Sequence, residues 1–468
     1  VPKKQKEGEN RLRSRKQPYD LEPPRGVVKD PNGLGYFKGR YYLFFQWNGF
    51  AKNHKYKEWG LFTSKDLLHW NFEGSALLPD QSYDQYGVYS GSSYVINDRL
   101  YLFYTGNAKK NGQRKSSQCI AITNDGQRFL KLGCAVKTPE DYTEHFRDPK
   151  VFQLNHKDYF MLIGAQKQDG NSGIALCRSD NGLSWNYIGL YAQSQKFNMI
   201  QCPDLFRLAL SYILLFSPQI WNHQKNRCEF SFSAYKIVSF DGTISEDHLE
   251  DLDNGYLPMD YGFDFYAPQT FTNTKGQRIL FAWMSRMEEE EEKAFSKGSP
   301  RIHCLTLPRK LSLKNGKLCQ MPADELYSMR GQRIPIYESS SSFFLQPKCR
   351  QFYLRFCSSQ ELDSFSISFY GKEASLVYDQ KRRIICLTRK NWLSGQKENR
   401  ECTPTSLNDI EIWSDSSSLE IFLNKGEYVM SSRIYPESSD LRIRVSGNIK
   451  KSEIEIYELN HMEGEIYE

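Results

Sequence analysis

Short runs of apolar and aromatic residues recur through the first two thirds of the chain. Each run has the length of a β-strand and opens beside a charged or turn-forming residue. The five runs occupy residues 40–47, 99–106, 157–164, 211–218 and 277–284. They begin about 54–66 residues apart, an interval typical of a repeated supersecondary unit. The pattern therefore predicts a repeat protein made of strands.

A polar residue precedes each apolar run, at intervals of about 56–60 residues. These positions are Asp30, Ser90, Asp148, Asp204 and Asp264. In a β-propeller the inner strands of all blades converge on a central channel. A helical solenoid, the alternative repeat fold, would show a 3.6-residue apolar period, which these segments lack. We therefore predict a five-bladed β-propeller over residues 17–330, with the polar positions at one mouth of its channel.

The pattern changes after residue 330. Residues 334–468 are rich in serine and contain short alternating runs separated by turn signals. This arrangement is typical of a β-sandwich of about 130 residues. Aromatic residues, at 14% of the chain, also favour strands. The predicted fold class is all-β, a five-bladed β-propeller with a C-terminal β-sandwich.

Charge and cysteine usage narrow the function classes. The net charge of +6 is small for 468 residues, and residues 1–16 carry much of it. We interpret this segment as a solvated basic tail, because no nucleic-acid motif accompanies it. No apolar run reaches the length of about 18 residues that a membrane-spanning helix needs. The eleven cysteines lack C-x-x-C spacing and the N-terminus lacks an apolar signal region, so we expect a cytoplasmic protein with reduced thiols. A mature secreted form that has lost its signal is the alternative.

A cluster of carboxyl groups at the predicted channel mouth would suit cleavage of a glycosidic bond. In retaining enzymes one carboxyl group protonates the leaving oxygen, and a second, about 5–5.5 Å away, attacks the anomeric carbon. Asp30, Asp148 and the segment 201–204 could supply such a cluster. The eight histidines form no metal-ligand spacing, and no Gly-rich phosphate loop or nicotinamide fingerprint is present, so neither a metal nor a cofactor is expected.

Several motifs together resemble glycoside hydrolase family 32, which contains invertases, sucrose-6-phosphate hydrolases and fructan hydrolases. The resemblance covers nearly the whole chain from about residue 17. In the first domain the motifs are PPRGVVKDPNG (23–33), FFQWN (44–48), WGLFTSKDLLHW (59–70), YSGS (89–92), FRDP (146–149), QCPDLF (201–206), YGFDFYAPQ (261–269), FAWMS (281–285) and LTLPRKL (305–311). In the second they are WSDSSSLEIFLNKG (413–426) and SRIYP (432–436).

The resemblance implies a role for each matching position. Asp30 would be the nucleophile that forms a fructosyl-enzyme ester, Asp148 would stabilise the transition state, and position 201 would be the general acid and base. The residues expected to bind substrate are Lys29, Gln46, Trp59, Tyr89, Ser90, Arg147 and Asp264. For Trp59 a plain core residue is the alternative. The expected partner is a small carbohydrate, with no nucleic acid or membrane.

Three positions depart from the family pattern. Gln201 stands where the family has Glu, and an amide cannot deliver the proton whose transfer contributes about 10²–10⁴-fold to the rate. Lys29 replaces the usual Asn beside the nucleophile, where an ammonium would weaken Asp30 as a nucleophile and crowd the fructose. Leu61 replaces a His.

Several interpretations therefore stay open. The main one is a retaining β-fructofuranosidase for sucrose or sucrose 6-phosphate, impaired by Gln201, which is either an engineered substitution or a natural one. The alternatives are a non-catalytic sugar-binding or regulatory relative and an exo-acting fructan hydrolase. Lys52, Lys55 and Lys57 could bind a phosphate group, or they could form a solvated loop.

Overall fold

The computed structural model describes residues 21–222, 224–225, 227–244, 249–288, 291, 300–339, 342–447, 449 and 453–460. The predicted basic tail at residues 1–16 lies outside these ranges. No helix within them combines the length and the apolar character that a membrane crossing requires.

Five antiparallel sheets form the blades of a β-propeller between residues 26 and 322. The first blade contains β1 (Gly26–Phe37), β2 (Arg40–Asn48), β3 (Glu58–Ser64) and β4 (Trp70–Leu77). The second contains β5 (Val88–Ile96), β6 (Arg99–Lys110), β7 (Gln113–Thr123) and β8 (Leu130–Lys137). The third contains β9 (Tyr142–Leu154), β10 (Asp158–Lys167), β11 (Ser172–Ser179) and β12 (Asn186–Ser194).

The last two blades are less regular. The fourth contains β13 (Met199–Leu208), β14 (Ser211–Asn222), β15 (Arg227–Ser231) and β16 (Ala234–Val238). The short strands β17 (Glu250–Asp251) and β18 (Leu257–Pro258) pair with β12 and β16. The fifth contains β19 (Tyr266–Thr272), β20 (Arg278–Trp283), β22 (Arg309–Lys314) and β23 (Lys317–Pro322), while β21 (Arg301–Ile302) pairs in parallel with β1.

The repeat found in the sequence corresponds to these blades. The five apolar runs coincide with the second strand of each blade, namely β2, β6, β10, β14 and β20. These strands are buried on both faces, as in the burial of Tyr41 to Asn48 along β2. The predicted five-bladed β-propeller is confirmed.

A β-bulge interrupts the first strand of every blade. In each case the strand carries one more residue than its partner strand, between Lys29 and Pro31 in β1 and at corresponding places in the other four. The bulges contain Asp30, Ser90, Asp148, Cys202 and Ala267. In four of the five blades the next residue is proline, which cannot donate to a ladder and is tolerated at a bulge. The bulges therefore re-aim side chains at the same level of all five inner strands.

Side-chain to backbone hydrogen bonds join consecutive inner strands. Asn32 Oδ1 accepts from the Gly91 amide (3.1 Å), and Ser92 Oγ accepts from the Val151 amide (3.0 Å). Asp148 Oδ2 accepts from the Cys202 amide at 3.1 Å. A fourth bond of this kind links the last pair, from the Thr270 amide to Asp204 Oδ2 at 2.8 Å. Backbone donors that face the channel are thus satisfied by the neighbouring blade.

The second domain is a sandwich of two antiparallel sheets. Its six-stranded sheet contains β24 (Arg330–Arg333), β27 (Phe352–Cys357), β32 (Asp409–Ser414), β33 (Ser418–Leu423), β34 (Tyr428–Arg433) and β36 (Ile454–Leu459). Its seven-stranded sheet contains β25 (Ile336–Ser339), β26 (Ser342–Leu345), β28 (Phe365–Phe369), β29 (Ala374–Asp379), β30 (Ile384–Lys390), β31 (Lys397–Cys402) and β35 (Ile443–Gly447). Among the described residues, 3₁₀ helices span Asp324–Met329 and Tyr370–Lys372. The predicted β-sandwich is confirmed.

The two domains meet at a buried polar junction. Arg309 of β22 is fully buried and donates from Nε (2.9 Å) and Nη2 (2.5 Å) to Glu420 of β33. The same guanidinium donates to Ser431 Oγ at 2.5 Å and pairs with Asp260 at 3.3 Å. Buried charges require this degree of hydrogen bonding to offset their loss of hydration.

Replacing Arg309 with methionine should destabilise the protein strongly. Glu420 and Asp260 would remain buried without their guanidinium, so we expect the free energy of unfolding to fall by about 3–5 kcal/mol in urea titrations followed by tryptophan fluorescence. The matched control is Lys310→Met, which removes a partly exposed ion pair with Asp324 and should cost no more than about 1 kcal/mol. Equal losses in both variants would contradict the role of the buried junction.

Candidate active site

Asp30 lies at the bulge of β1, at the mouth formed by the inner strands. Its Oδ2 accepts a hydrogen bond from Ser90 Oγ at 3.0 Å. Ser90 in turn accepts from Gln46 Nε2 at 2.5 Å, and both side chains are buried. The second carboxyl oxygen, Oδ1, is buried and accepts no hydrogen bond from the described residues. Three predicted site residues are thus brought together, with one carboxyl oxygen of Asp30 not engaged by the protein.

Asp148 lies beside this group on the third blade. It occupies the left-handed region (φ 65°), and its Oδ2 accepts from the Cys202 amide and lies 3.9 Å from Arg147 Nε. Burial raises the pKa of the Asp148 carboxyl group, and the negative charge of Asp30 adds to this effect, while Arg147 opposes it. The structure therefore brings Asp30 and Asp148 close enough to repel each other.

The side-chain amide of Gln201 is flanked by hydrogen-bond donors on both sides. One end lies 2.9 Å from Gln219 Nε2, whose orientation is set because Trp221 Nε1 donates to Gln219 Oε1. The other end lies 3.1 Å from Arg147 Nε and 2.5 Å from Arg147 Nη2. An amide has a single acceptor oxygen, so it can satisfy Arg147 or Gln219 but not both. A carboxylate at this position would accept from both.

Tyr266 completes the surroundings of position 201. Its hydroxyl lies 3.0 Å from the Gln201 side chain and 3.2 Å from the Ser217 carbonyl oxygen. Burial raises the pKa of the Tyr266 phenol well above its ordinary value. The hydroxyl therefore keeps its proton as a donor at neutral pH.

Tyr89 is half-buried between two cations. Lys57 Nζ lies 4.7 Å and Arg114 Cζ lies 4.8 Å from its ring centroid. Burial by itself would raise the pKa of the Tyr89 phenol, but the positive charges of Lys57, Arg114 and Arg147 lower it below its ordinary value. Tyr89 therefore lies in a locally positive field on this side of the channel mouth.

Trp59 does not present its ring to the channel mouth. The side chain is fully buried, with ring contacts to Phe44 (5.5 Å) and Tyr104 (6.2 Å). Its Nε1 donates to the Tyr89 carbonyl oxygen at 3.0 Å. Trp59 therefore supports Tyr89 from the core between the first two blades, in place of the pocket-lining position that the motif predicted.

Asp264 also lies away from the group around Asp30. It is fully buried, forms an ion pair with Arg389 of β30 and accepts from the Arg433 amide at 2.7 Å. Both partners belong to the sandwich, so this carboxylate links the domains. The sandwich therefore engages Oδ2 of Asp264, and the substrate contact expected of this residue stays a prediction.

Lys29 directs its ammonium group towards the fifth blade. Its Nζ lies 4.4 Å from the ring centroid of Trp283 and 3.6 Å from Met287 Sδ. The positive charge of Lys29 is the main cause that lowers the pKa of His54 far below its ordinary value, with burial second. Lys29 thus contacts Trp283 and Met287, whereas the sequence suggested an ammonium beside the Asp30 carboxylate.

Sequence reasoning missed several residues of the site. Tyr266 and Cys202 lie inside the motifs at 261–269 and 201–206. The proline that follows four of the five bulges aligns Tyr266 with Arg147 and Cys202 with Asp148. The residues equivalent to Asp30 in the fourth and fifth blades are therefore Cys202 and Ala267. The predicted series had wrongly placed Asp204 and Asp264 at these positions. Arg114 had no motif around it, because its place depends on the pairing of β6 with β7.

Titration of the tyrosines should reveal the locally positive field at Tyr89. Because the pKa of Tyr89 is lowered, we expect phenolate absorbance equivalent to one tyrosine to develop at lower pH than its ordinary value of 10. This component should be missing in Tyr89→Phe. Tyr94→Phe is the control, since burial raises the pKa of Tyr94 and its removal should leave absorbance below pH 10 unchanged. An early component that persists in Tyr89→Phe would count against the assignment.

Comparisons with known proteins give the same family for both domains. Residues 20–322 match the Glycosyl hydrolases family 32 N-terminal domain, and residues 325–460 match the Glycosyl hydrolases family 32 C terminal domain. Sucrose-6-phosphate hydrolase of Bacillus subtilis (strain 168) is 37% identical over 454 residues, covering 94% of this chain and 93% of that protein. Sucrose-6-phosphate hydrolase of Klebsiella pneumoniae is 34% identical over 433 residues, covering 89% of this chain and 88% of that protein.

Solved structures agree with this result. Sucrose-6-phosphate hydrolase from Lactobacillus gasseri has a TM-score of 0.83 at 26% identity, covering 97% of this chain and 96% of that one. The Bombyx mori GH32 beta-fructofuranosidase BmSUC1, at 23% identity and a TM-score of 0.80, covers 98% of this chain and 97% of that one and shares the fold. The two domain matches and the relatives together establish that this chain belongs to glycoside hydrolase family 32.

Proposed function

We propose that this chain has the site of a retaining β-fructofuranosidase for sucrose 6-phosphate, slowed by the amide at position 201. The observation that carries the proposal is the grouping of Asp30, Asp148 and position 201 on three inner strands. The names of the curated relatives support the same substrate class. The expected partner is a small carbohydrate that enters the channel mouth.

In this mechanism Asp30 attacks the anomeric carbon of the fructosyl unit. The bond from that carbon to the glucosyl oxygen breaks, and a fructosyl ester forms on Asp30. The oxygen Oδ1 suits this step, because a nucleophile that accepts no hydrogen bond from the protein keeps its lone pairs for the substrate. Ser90 and Gln46 hold the other oxygen and so orient the carboxylate.

Asp148, with Arg147 beside it, would act on the fructosyl ring, while the Arg147 guanidinium also contacts the side chain at position 201. Asp148 is held by the Cys202 amide, and a carboxylate in this place can accept hydrogen bonds from ring hydroxyl groups. Its raised pKa reflects burial near Asp30, a repulsion that positive charge developing on the sugar would relieve. The pair therefore favours the oxocarbenium-like transition state over the free enzyme.

Position 201 would supply the proton that the leaving glucosyl oxygen needs and later remove one from water. Gln201 can do neither, so both ester formation and hydrolysis should be slow. The donors of Arg147 and Gln219 on both sides of the amide suit a carboxylate, which supports a site built for glutamate.

Replacing Gln201 with glutamate should restore hydrolysis. We expect kcat for sucrose 6-phosphate to rise by about 10²–10⁴-fold, measured as fructose release. The matched control, the double change Gln201→Glu with Asp30→Asn, should stay inactive because it lacks the nucleophile. A fructoside whose leaving group needs no protonation should form the ester even in the chain with Gln201, detected by intact mass.

The other outcomes separate the remaining interpretations. If Gln201→Glu is inert but becomes active when Lys29→Asn is added, Lys29 blocks the fructose position. If neither change gives hydrolysis and sucrose still binds, the chain is a sugar-binding relative and the proposed activity is wrong. Faster release from short fructans than from either sucrose form would favour the exo-acting alternative.

A further inference from the structure

The cations around Tyr89 form a group that the hydrolytic mechanism does not use. Lys57 precedes β3, Arg114 lies on β7, and both contact the Tyr89 ring. Each of the three side chains is partly exposed, so a ligand at the mouth can reach them. Such a concentration of positive charge on an aromatic surface favours an anionic ligand over a neutral sugar.

Two hydrogen-bond donors in this group have no acceptor among the described residues. Arg114 Nε donates to Asn107 Oδ1 at 2.7 Å, but Arg114 Nη2 and Asn107 Nδ2 are both buried without a partner. Buried donors of this kind are costly unless a ligand accepts from them. Burial lowers the pKa of Arg114, and the charge of Arg147 adds to this effect, while Tyr89, Glu144 and Asp148 oppose it. The site is therefore arranged for an additional negative group.

The group lies on the side of the mouth where the leaving glucosyl unit would sit. Arg147 connects this group of cations to position 201. Its guanidinium contacts Gln201, and its charge acts on both Tyr89 and Arg114. Position 201 must face the glucosyl oxygen in order to protonate it. Ser90 and Gln46, by contrast, hold the Asp30 carboxylate itself.

We propose that Arg114, Lys57 and Asn107 form the subsite for the phosphate group on the glucosyl unit of sucrose 6-phosphate. Arg114 would donate from Nη2, Asn107 from Nδ2, and Lys57 would act as a point charge. This assignment rests on the proposed function and deepens it. Of the three lysines that the sequence suggested for a phosphate group, Lys52, Lys55 and Lys57, only Lys57 belongs to this subsite.

Isothermal titration of the chain itself tests the subsite, since Gln201 slows cleavage during the measurement. Sucrose 6-phosphate should bind at least about tenfold more tightly than sucrose. Arg114→Met and Lys57→Met should each remove most of that ratio and change the Kd for sucrose by less than about twofold. The matched control is Lys115→Met, which removes one charge from the opposite face of β7.

Each remaining outcome would overturn the assignment in a recognisable way. Equal Kd values for the two sugars, or a ratio unchanged in Arg114→Met, would sink the subsite and leave the fructosidase proposal intact. Failure of both sugars to bind would overturn both proposals. Inorganic phosphate binding as tightly as glucose 6-phosphate would mean that a free anion is the ligand.

A second inference comes from two cysteines on the outer strands of the second blade. Cys119 of β7 and Cys134 of β8 are directly opposed in the sheet, and their Sγ atoms are 3.8 Å apart. Opposed residues in an antiparallel ladder have Cα atoms about 4.5–5.5 Å apart, within the range of disulfides. Cys134 is exposed, and the Ser117 hydroxyl lies 3.2 Å from its sulfur.

The two thiols differ in their ease of ionisation. A hydrogen bond from Cys119 lowers the pKa of Cys134 to about 6, and the contact with Ser117 adds to this effect. The same contact, together with burial, raises the pKa of Cys119. Cys134 is therefore the thiolate that an oxidant would meet first.

We infer that Cys119 and Cys134 form a disulfide when the protein meets a peroxide. The Cys134 thiolate attacks a peroxide oxygen, the O–O bond breaks, and a sulfenic acid forms on Cys134. The Cys119 thiol then attacks that sulfur and water leaves, so that two thiols and one hydrogen peroxide give one disulfide and two waters.

Mass spectrometry of the peroxide-treated full chain tests this pair. We expect a loss of about 2 Da that dithiothreitol reverses, and a peptide map that links Cys119 to Cys134. Cys134→Ser should abolish the linkage, whereas Cys357→Ser, which removes another exposed thiol, should leave it intact. Sulfinic acid on Cys134 without a linked peptide would refute the inference.

Discussion

The hydrogen bonds between consecutive inner strands are the constraint on which the site depends. The inner strands β5, β9, β13 and β19 are edge strands of their sheets, and β1 pairs on that side only with β21, at Gly26 and Val27. Amides that face the channel therefore need other acceptors. Asn32, Ser92, Asp148 and Asp204 each supply one to the next blade. These bonds fix the relative height of the five inner strands, and the bulges then point side chains from separate blades at one place. The positions of the catalytic side chains therefore follow from the hydrogen bonds that satisfy the backbone amides of the inner strands.

Asp148 shows how closely structure and chemistry are coupled. It accepts the Cys202 amide and so joins the third and fourth blades, yet its carboxyl group also lies near Asp30 and Arg147. Its backbone adopts a left-handed conformation that a non-glycine residue reaches only with support from its surroundings. A change at this position would therefore disturb both the blade contact and the charge balance. The left-handed backbone places the Asp148 side chain, and the hydrogen bond from the Cys202 amide helps to offset the strain of that backbone conformation.

The sequence predicted the repeat, the domain types and most of the grouped residues, because apolar strands and short motifs are local features. Asp204 and Asp264 were placed level with Asp30 because each is one of many acidic residues near a strand. The equivalent position is instead marked by the proline that follows the bulge in four of the five blades. Trp59 and Asp264 could not be placed, since the core beneath Tyr89 and the sandwich surface that binds Asp264 form only in three dimensions. Arg114 likewise reaches Tyr89 through strand pairing at long range.

The two departures from the family pattern differ in how well the structure accommodates them. Lys29 is supported by the Trp283 ring and Met287, and its charge keeps the neighbouring His54 neutral. Gln201 is not supported in this way, because its one acceptor oxygen faces donors at both ends of the amide. When the amide oxygen faces Arg147, the amide nitrogen can donate to the Tyr266 hydroxyl, but it then also faces Gln219 Nε2, which is another donor. The surroundings of position 201 therefore still suit a carboxylate, while those of position 29 suit the lysine that is there.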